Sequence, residues 1–380
     1  MNILLLTSEH SKNNFGITSV VSQLADQLAS TSNGIGITIA AVGNISVEQS
    51  ENVAIEFLPI VRWGMLWRWS PNIIKKISEM VERNNIQVIH IHGIWMAIQW
   101  AGLVVAKKKK IPCIISVHGM LEKWFWNEQS FLKKLKKKIY LDLVLKPNIS
   151  SNTVFHAITL EEFKNIKRFF PDSIIKIIPN AITFASRNNS ATQEKNIVFL
   201  GRLHPIKGVD LLIQAFTSIV HKEWQLVIAG PEEDYEYVNK LKKAISDNSL
   251  EEQIHLIGPV FGDEKAALLQ RAWVVVVPSY SEVIGMVNLE AALNQTSSIT
   301  TFETGLLNWE ESGGLLVHPT VDSLQNALTK VMNWTFSERK ERGQLAYAYV
   351  KKHFSWEVVI PTWRQLYSDV LQMQNLEKDK

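Results

Sequence analysis

At 380 residues, 46% hydrophobic and 20% charged, the chain exceeds one ordinary core and reads as two globular, soluble domains, not a disordered polymer. A net charge of +3, with its basic residues in local runs, argues against a nucleic-acid partner. The single cysteine, Cys113, excludes an intramolecular disulfide and a cysteine-based zinc cluster; inside the apolar run IPCIISV it reads as an inert core residue, and a cytoplasmic setting fits.

The opening MNILLLTSEH is too short for a signal-peptide core and reads as a buried strand. SKNNFGITSVVSQLADQLA then gives a polar loop and an amphipathic helix. Gly16, at the helix start, either allows a ligand close to the backbone or is an ordinary turn residue. No GxGxxG dinucleotide fingerprint follows. GITIAAV, QVIHIH and CIISV read as further strands. The apolar stretch 94–106 is interrupted by Gln99 and falls short of the roughly 20 residues a membrane span needs, so no transmembrane helix is expected.

His90, His92 and His118 stand at strand ends, where a histidine can bind hydroxyls or phosphate, move a proton, or be a satisfied core residue. His118, followed by glycine at a strand exit, is the preferred functional candidate. His90 and His92 have no carboxylate nearby, and the chain contains no Asp-x-Asp, so no metal site is expected. The lysines at 107–110 suit a helix C-terminus.

Seven of the thirteen tryptophans precede residue 130, close to the lysine runs. In WFWNEQSFLKKLKKKIYLDLVL, Leu132, Leu135, Ile139 and Leu143 make one helical stripe, beside Lys133, Lys134, Lys136, Lys137 and Lys138. With Trp124 and Trp126 adjacent, this basic amphipathic helix either rests on an anionic membrane surface or places its stripe on the core with a solvated face outward.

A polar stretch at 187–196 reads as a linker, after which the strand pattern restarts with NIVFLG, QLVIAG, QIHLIG and WVVVVP. Near-continuous Val/Ile/Leu runs alternating with helices predict α/β architecture: two doubly wound, Rossmann-like parallel sheets facing a central cleft. The expected boundaries are 1–183, 184–355 and a final helix over 356–380. That helix has apolar positions at 358, 359, 363, 366, 370 and 371, a start or kink at Pro361, and a fraying tail.

In GRLHPIKG, Arg202 and Lys207 lie between a strand end and a helix N-terminus, where a cation pair suits a diphosphate, or else the two are solvated loop charges. PSYSEVIGMVNLEAA puts Glu282 before a helix entrance at Gly285 and Glu290 about 8 Å along its axis. A ligand with phosphates at that entrance could present hydroxyls to both carboxylates; alternatively Glu290 is a paired helix acid.

These motifs together resemble the retaining glycosyltransferases of the GT-B fold, in the large family four that includes bacterial sugar transferases for surface polysaccharides. The resemblance covers nearly the whole chain and rests on the E-x7-E of EVIGMVNLE, on GRLHPIKG, on IAGP at 228–231 and on IPNAI. VIHIHGIW and SVHGMLEKW look like the branch that builds O-antigen, capsule or exopolysaccharide. The resemblance implies that Arg202 and Lys207 hold the diphosphate of a UDP- or GDP-linked sugar, capped by backbone at Gly285, Met286 and Val287. It implies that Glu290 binds the ribose, that Glu282 faces the transferred sugar, and that Gly16 and His118 lie beside the phosphates and the reacting sugar. It further implies an acceptor-binding first domain, a donor-binding second domain and a final helix crossing back to the first.

Three departures stand out: Phe15-Gly16 replaces a glycine pair, EVIG replaces E-G-F-G, and NQTSS replaces a Gly-x-Pro-like turn. The expected function is metal-independent transfer of a sugar to a lipid-linked glycan acceptor, peripheral on the inner face of the cell membrane and without a cofactor. A nucleotide-sugar epimerase of the same fold and a non-catalytic assembly subunit are the alternatives.

Overall fold

Runs of valine, isoleucine and leucine can be buried on both faces only if helices cover both sides of a sheet. The computed structural model, which describes residues 1–10, 16–30, 34–43, 52–61, 67–127, 130–184, 194–219 and 222–378, shows this arrangement twice. Its two compact units are Met1–Ala181 with Trp356–Lys380, and Ile182–Ser355.

In the first unit, β1 (Asn2–Thr7), α1 (Ile17–Ser30), β2 (Gly36–Val42), β3 (Val53–Leu58), α2 (Ile73–Arg83), β4 (Val88–His92) and α3 (Ala97–Lys109) come first. They are followed by β5 (Cys113–Ser116), α4 (Lys123–Asn127), α5 (Phe131–Tyr140), β6 (Thr153–Ala157), α6 (Leu160–Phe169) and β7 (Ile174–Ile177). The strands form a parallel sheet in the order β3-β2-β1-β4-β5-β6-β7. Lys110 closes α3 in a left-handed conformation behind three lysines, as the charge pattern predicts for a helix C-terminus. Cys113 is buried.

The second unit contains β8 (Asn196–Leu200), α7 (Val209–Thr217), β9 (Gln225–Ala229), α8 (Tyr235–Asp247), β10 (Ile254–Gly258), α9 (Gly262–Arg271) and β11 (Val274–Val277). It continues through α10 (Met286–Leu293), β12 (Ser298–Thr301), β13 (Leu315–Val317), α11 (Val321–Met332) and α12 (Phe336–Phe354). Its parallel order is β10-β9-β8-β11-β12-β13. Of the predicted linker, 187–193 lie outside the described residues, and Asn196 already begins β8. Strands β3, β6, β7 and β12 carry polar or charged residues that hid them from a reading based on apolar runs, and β13 is only three residues long.

The last helix, α13 (Trp356–Lys378), returns to the first unit, where Trp356, Val359, Ile360, Trp363, Leu366, Tyr367 and Val370 join the core with β1 and α1. Pro361 lies inside the helix and so does not start it, and Val358 is exposed. Of the tail predicted to fray, 375–378 belong to the helix and 379–380 lie outside the described residues.

A buried polar chain ties α13 to the sheet. His156 Nε2 can only donate to the carbonyl of Ile178 (2.8 Å), which fixes every other direction. Ser116 Oγ–H therefore donates to His156 Nδ1 (2.7 Å), His90 Nε2–H to Ser116 Oγ (2.7 Å), and Tyr367 O–H to His90 Nδ1 (2.6 Å). Burial pushes His90 well below its ordinary value and His156 down to about 4, so both rings stay neutral. His90 is thus a satisfied core residue.

Tyr367→Phe should leave His90 Nδ1 buried and unpartnered and cost about 1–3 kcal/mol in urea unfolding. Because the folded histidines take protons less readily than the unfolded ones, their contribution is complete above pH ~6.5. It is lost as the pH falls from there toward about 4. A stability that stays flat over that window would contradict the neutral chain.

Candidate active site

The donor-side candidates gather at the carboxyl ends of β8 and β11, the end of an open α/β sheet where ligands bind. After β8 the chain passes Gly201 and Arg202 into a short helical turn, Pro205–Lys207, capped by His204 Nδ1 accepting from the Ile206 N–H (3.2 Å). Gly208, left-handed at φ +65°, ends the turn and starts α7; a Cβ there would lie 2.3 Å from the Pro278 carbonyl oxygen. Tyr280 N–H donates to the Ile206 carbonyl (2.8 Å), which fastens the β11 loop to the lysine turn. IAGP has a similar steric origin. A Cβ on Gly230 (φ +153°) would stand 1.7 Å from the Gly201 carbonyl oxygen, so the β8 loop reaches its position only over a glycine.

This packing brings Lys207 and Glu282 together. Lys207 Nζ meets Glu282 Oε1 at 2.6 Å with both side chains mostly buried, and Ser279 Oγ donates to the same oxygen (2.9 Å). Arg202 stands apart on the surface, paired with Glu233 (2.8 Å). Gly285 caps α10 in a left-handed conformation (φ +46°), which places Met286 and Val287 in the first turn at the helix entrance. Asn288 Nδ2 holds the Gly285 carbonyl (3.1 Å) and Thr300 Oγ1 (3.2 Å), and accepts at Oδ1 from Ser298 (2.6 Å). The helix entrance is therefore fixed from below by the polar strand β12.

Glu290 lies on α10 as predicted. One of its oxygens receives Lys265 Nζ from α9 (2.6 Å), while Oε2 is buried with no partner among the described residues. The sequence reading missed Lys265, Ser279 and Glu233. The i,i+8 carboxylate spacing signals Glu290, but nothing local marks Lys265 as its partner across 25 residues.

In the first unit, Gly16 immediately precedes α1, and a Cβ there would meet nothing within 4 Å, so no crowding demands a glycine. Its neighbour Phe15 lies outside the described residues. His118 follows β5 in a left-handed conformation (φ +53°), as does Gly119 (φ +73°). A non-glycine residue there is uncommon and stores strain. His118 Nε2 and His92 Nδ1 share a hydrogen bond of 2.9 Å, and burial pushes His118 down to about 3, reinforced by His156. His92 is thus paired with His118.

Helix α5 is built inside out. Phe131 and Leu132 are 75% and 68% exposed, Leu135 and Ile139 are exposed as well, and Leu143, in the turn that continues the helix, is 72% exposed. The predicted stripe is therefore not core. The inward side carries Lys137 and Tyr140. Lys137 Nζ sits 5.2 Å from the Trp95 ring centre and 5.8 Å from that of Trp126, and Tyr140 O–H donates to the Ile94 carbonyl (2.9 Å). Burial, then Lys133, lowers the Lys137 pKa. Two surface assignments are thus corrected: Lys137 and Trp126 face each other, and Trp126 stacks on Phe169 (4.8 Å). Lys133, Lys136 and Lys138 are exposed, Lys134 and Trp124 half-buried.

Two Rossmann-like units in one chain are the architecture of the GT-B fold. Residues 16–185 match the family described as Glycosyltransferase Family 4, and residues 182–349 match Glycosyl transferases group 1. The chain belongs to the glycosyltransferases assembled from these two domains.

Sucrose-phosphate synthase from Thermosynechococcus elongatus superposes with a TM-score of 0.77 at 18% identity, covering 98% of this chain and all of that one. The Anabaena protein HepE, in complex with UDP and glucose, gives 0.76 at 14% identity, covering 97% of this chain and all of that one. The gpi3 subunit of phosphatidylinositol N-acetylglucosaminyltransferase from Schizosaccharomyces pombe is 24% identical over 304 residues, 78% of this chain. The chain spans 64% of that relative's length.

Gly230→Ala should push the β8 loop off β9 and destabilise the second unit by at least about 2 kcal/mol, measured by denaturant unfolding. A variant as stable as the parent would show that this contact does not set the loop.

Proposed function

We propose that the protein is a retaining glycosyltransferase that moves a sugar from a nucleoside-diphosphate donor to a lipid-linked glycan at an anionic membrane face. The observation that carries this reading is the grouping of Lys207, Glu282, the N-terminus of α10 and Glu290 at the carboxyl end of the second sheet. A diphosphate at the α10 entrance would receive the Met286 and Val287 N–H groups and draw Lys207, with Arg202 free to swing from its exposed partner. Glu282 would then face the sugar and Glu290 Oε2 the ribose.

Stabilising charge on the departing diphosphate is the main catalytic lever, supplied by Lys207, Arg202 and the helix end without a metal. His118 would line the reacting face of the sugar, and Gly16 the phosphates. Attack from the face the diphosphate leaves, with that phosphate taking the acceptor proton, retains configuration; the bond to the diphosphate oxygen breaks as the bond to the acceptor oxygen forms. HepE's UDP complex supports a UDP donor, and the phosphatidylinositol in the yeast relative's name supports a lipid-borne acceptor. Assembly of a surface polysaccharide is supported by VIHIHGIW and SVHGMLEKW.

Thermal unfolding with UDP, GDP, ADP and CMP tests the donor. One diphosphate at a hundred times its dissociation constant should add about 2.7 kcal/mol, and Glu290→Ala or Lys207→Ala should abolish the shift. No shift with any of the four would refute the donor site.

The exposed stripe of α5, flanked by Lys133, Lys136 and Lys138, supports the membrane assignment. At about 1 kcal/mol per basic residue, removing these three charges should weaken binding to phosphatidylserine-containing vesicles by about a hundredfold. Unchanged co-sedimentation would remove this part of the proposal.

A further inference from the structure

Glu162 is 1% exposed, and its carboxylate is spent on backbone rather than on a cation. Oε1 accepts from the Gly119 N–H and Oε2 from the Ile158 N–H, both at 2.6 Å. The sequence Thr159-Leu160-Glu161-Glu162 has the spacing of a capping box, and Thr159 Oγ1 does accept from the Glu162 N–H (3.2 Å). In that motif, however, the glutamate returns to the N-H of the cap itself. Here it reaches past the cap to Ile158 and across to Gly119, the residue after His118.

The strap therefore joins the loop after β6 to the loop after β5, where His118 and Gly119 are consecutively left-handed. Unlike glycine, His118 does not favour this conformation, so something outside the loop must hold it. The Gly119–Glu162 bond is a charge-assisted contact at that point.

We infer that Glu162 is a positioning residue for His118: its ionised carboxylate holds the left-handed His118-Gly119 backbone in place and so sets where the imidazole stands. This rests on the proposed role of His118 beside the reacting sugar. A protonated carboxyl cannot accept equally at both oxygens, so the strap loosens when Glu162 takes up a proton. Burial raises Glu162 to about 7, against the two backbone donors. Glu122, also raised to about 7 by burial and then by Glu162, stands nearby and accepts from Asn165 Nδ2 (2.9 Å). Glu161 is paired with Lys123 (2.9 Å) and Lys164 (3.3 Å), and His118 shares its hydrogen bond with His92, with His156 close by. Burial lowers all three histidines, which stay neutral across this range, leaving the two glutamates as the groups that change charge near pH 7.

The test uses Glu162→Gln, which keeps the volume but turns an amide NH2 toward one of the two backbone donors. Two readouts are needed. The first is release of UDP from UDP-glucose by the whole protein, with pH varied from about 5.5 to 8.5. The strap predicts an acid limb near pH 7 in the parent that disappears in Glu162→Gln, with kcat down about tenfold to a hundredfold. UDP affinity should be unchanged, and combining the substitution with His118→Ala should cost no more than His118→Ala alone.

The second readout is the His118 ring proton resonance, assigned by its loss in His118→Ala. Its shift should show a transition near pH 7 that Glu162→Gln removes and Glu122→Gln leaves in place. Parental kcat and pH profile in Glu162→Gln, multiplicative losses in the double variant, or a His118 resonance indifferent to Glu162 would each overturn the inference. If the parent releases no UDP, UDP-glucose falls as the donor while the resonance still decides the strap.

Discussion

The structure depends on burying two parallel sheets on both faces. Strands such as Val274–Val277 and Ile3–Leu6 carry no group that could do chemistry, so helices must cover them and every polar function is displaced to the strand ends. The β8 loop, the β11 loop and the α10 entrance meet at one such end. Once Gly230 lets the β8 loop approach, Lys207 is delivered to Glu282 by backbone packing rather than by attraction between the two charges. Their ion pair is a result of that arrangement.

Legibility in the sequence followed the same division. Strands buried on both faces announced themselves as apolar runs, and so did the helices whose faces cover them. β12, by contrast, reads Ser-Ile-Thr-Thr, yet all four residues are buried, because Asn288, Ser279 and Thr304 satisfy their hydroxyls. Polar residues satisfied at long range leave no periodic signal. In the candidate site, Lys207, Glu282, Gly285 and Glu290 were visible through fixed spacing along the chain. Lys265 and Glu162 were not, since their partners are 25 and 43 positions away and only the sheet order brings them near.

α5 shows the limit of amphipathic reasoning. The period of its apolar residues was plain, but the period does not say which side faces the protein. Here the aromatic side chains of Trp95, Trp126 and Tyr140 offer a surface that accepts a lysine stem and its charge, so Lys137 turns inward and the leucines outward. The tryptophan-rich composition of the first unit decides the orientation of a helix that the hydrophobic pattern alone would have reversed.

The return of α13 to the first unit has a temporal consequence. During synthesis, the ribosome completes the second unit at Ser355 while the first still lacks Trp356, Trp363 and Tyr367. The unit begun first is finished last. Until the chain has been made through Val370, His90 lacks the Tyr367 hydroxyl and the face of β1 and β4 that α1 and α13 share is only partly covered. The nascent first unit is thus the one exposed to chaperones and proteases, and a nonsense codon near residue 355 would spare the second unit while leaving the first, more than 170 residues upstream, with one of its two core layers incomplete.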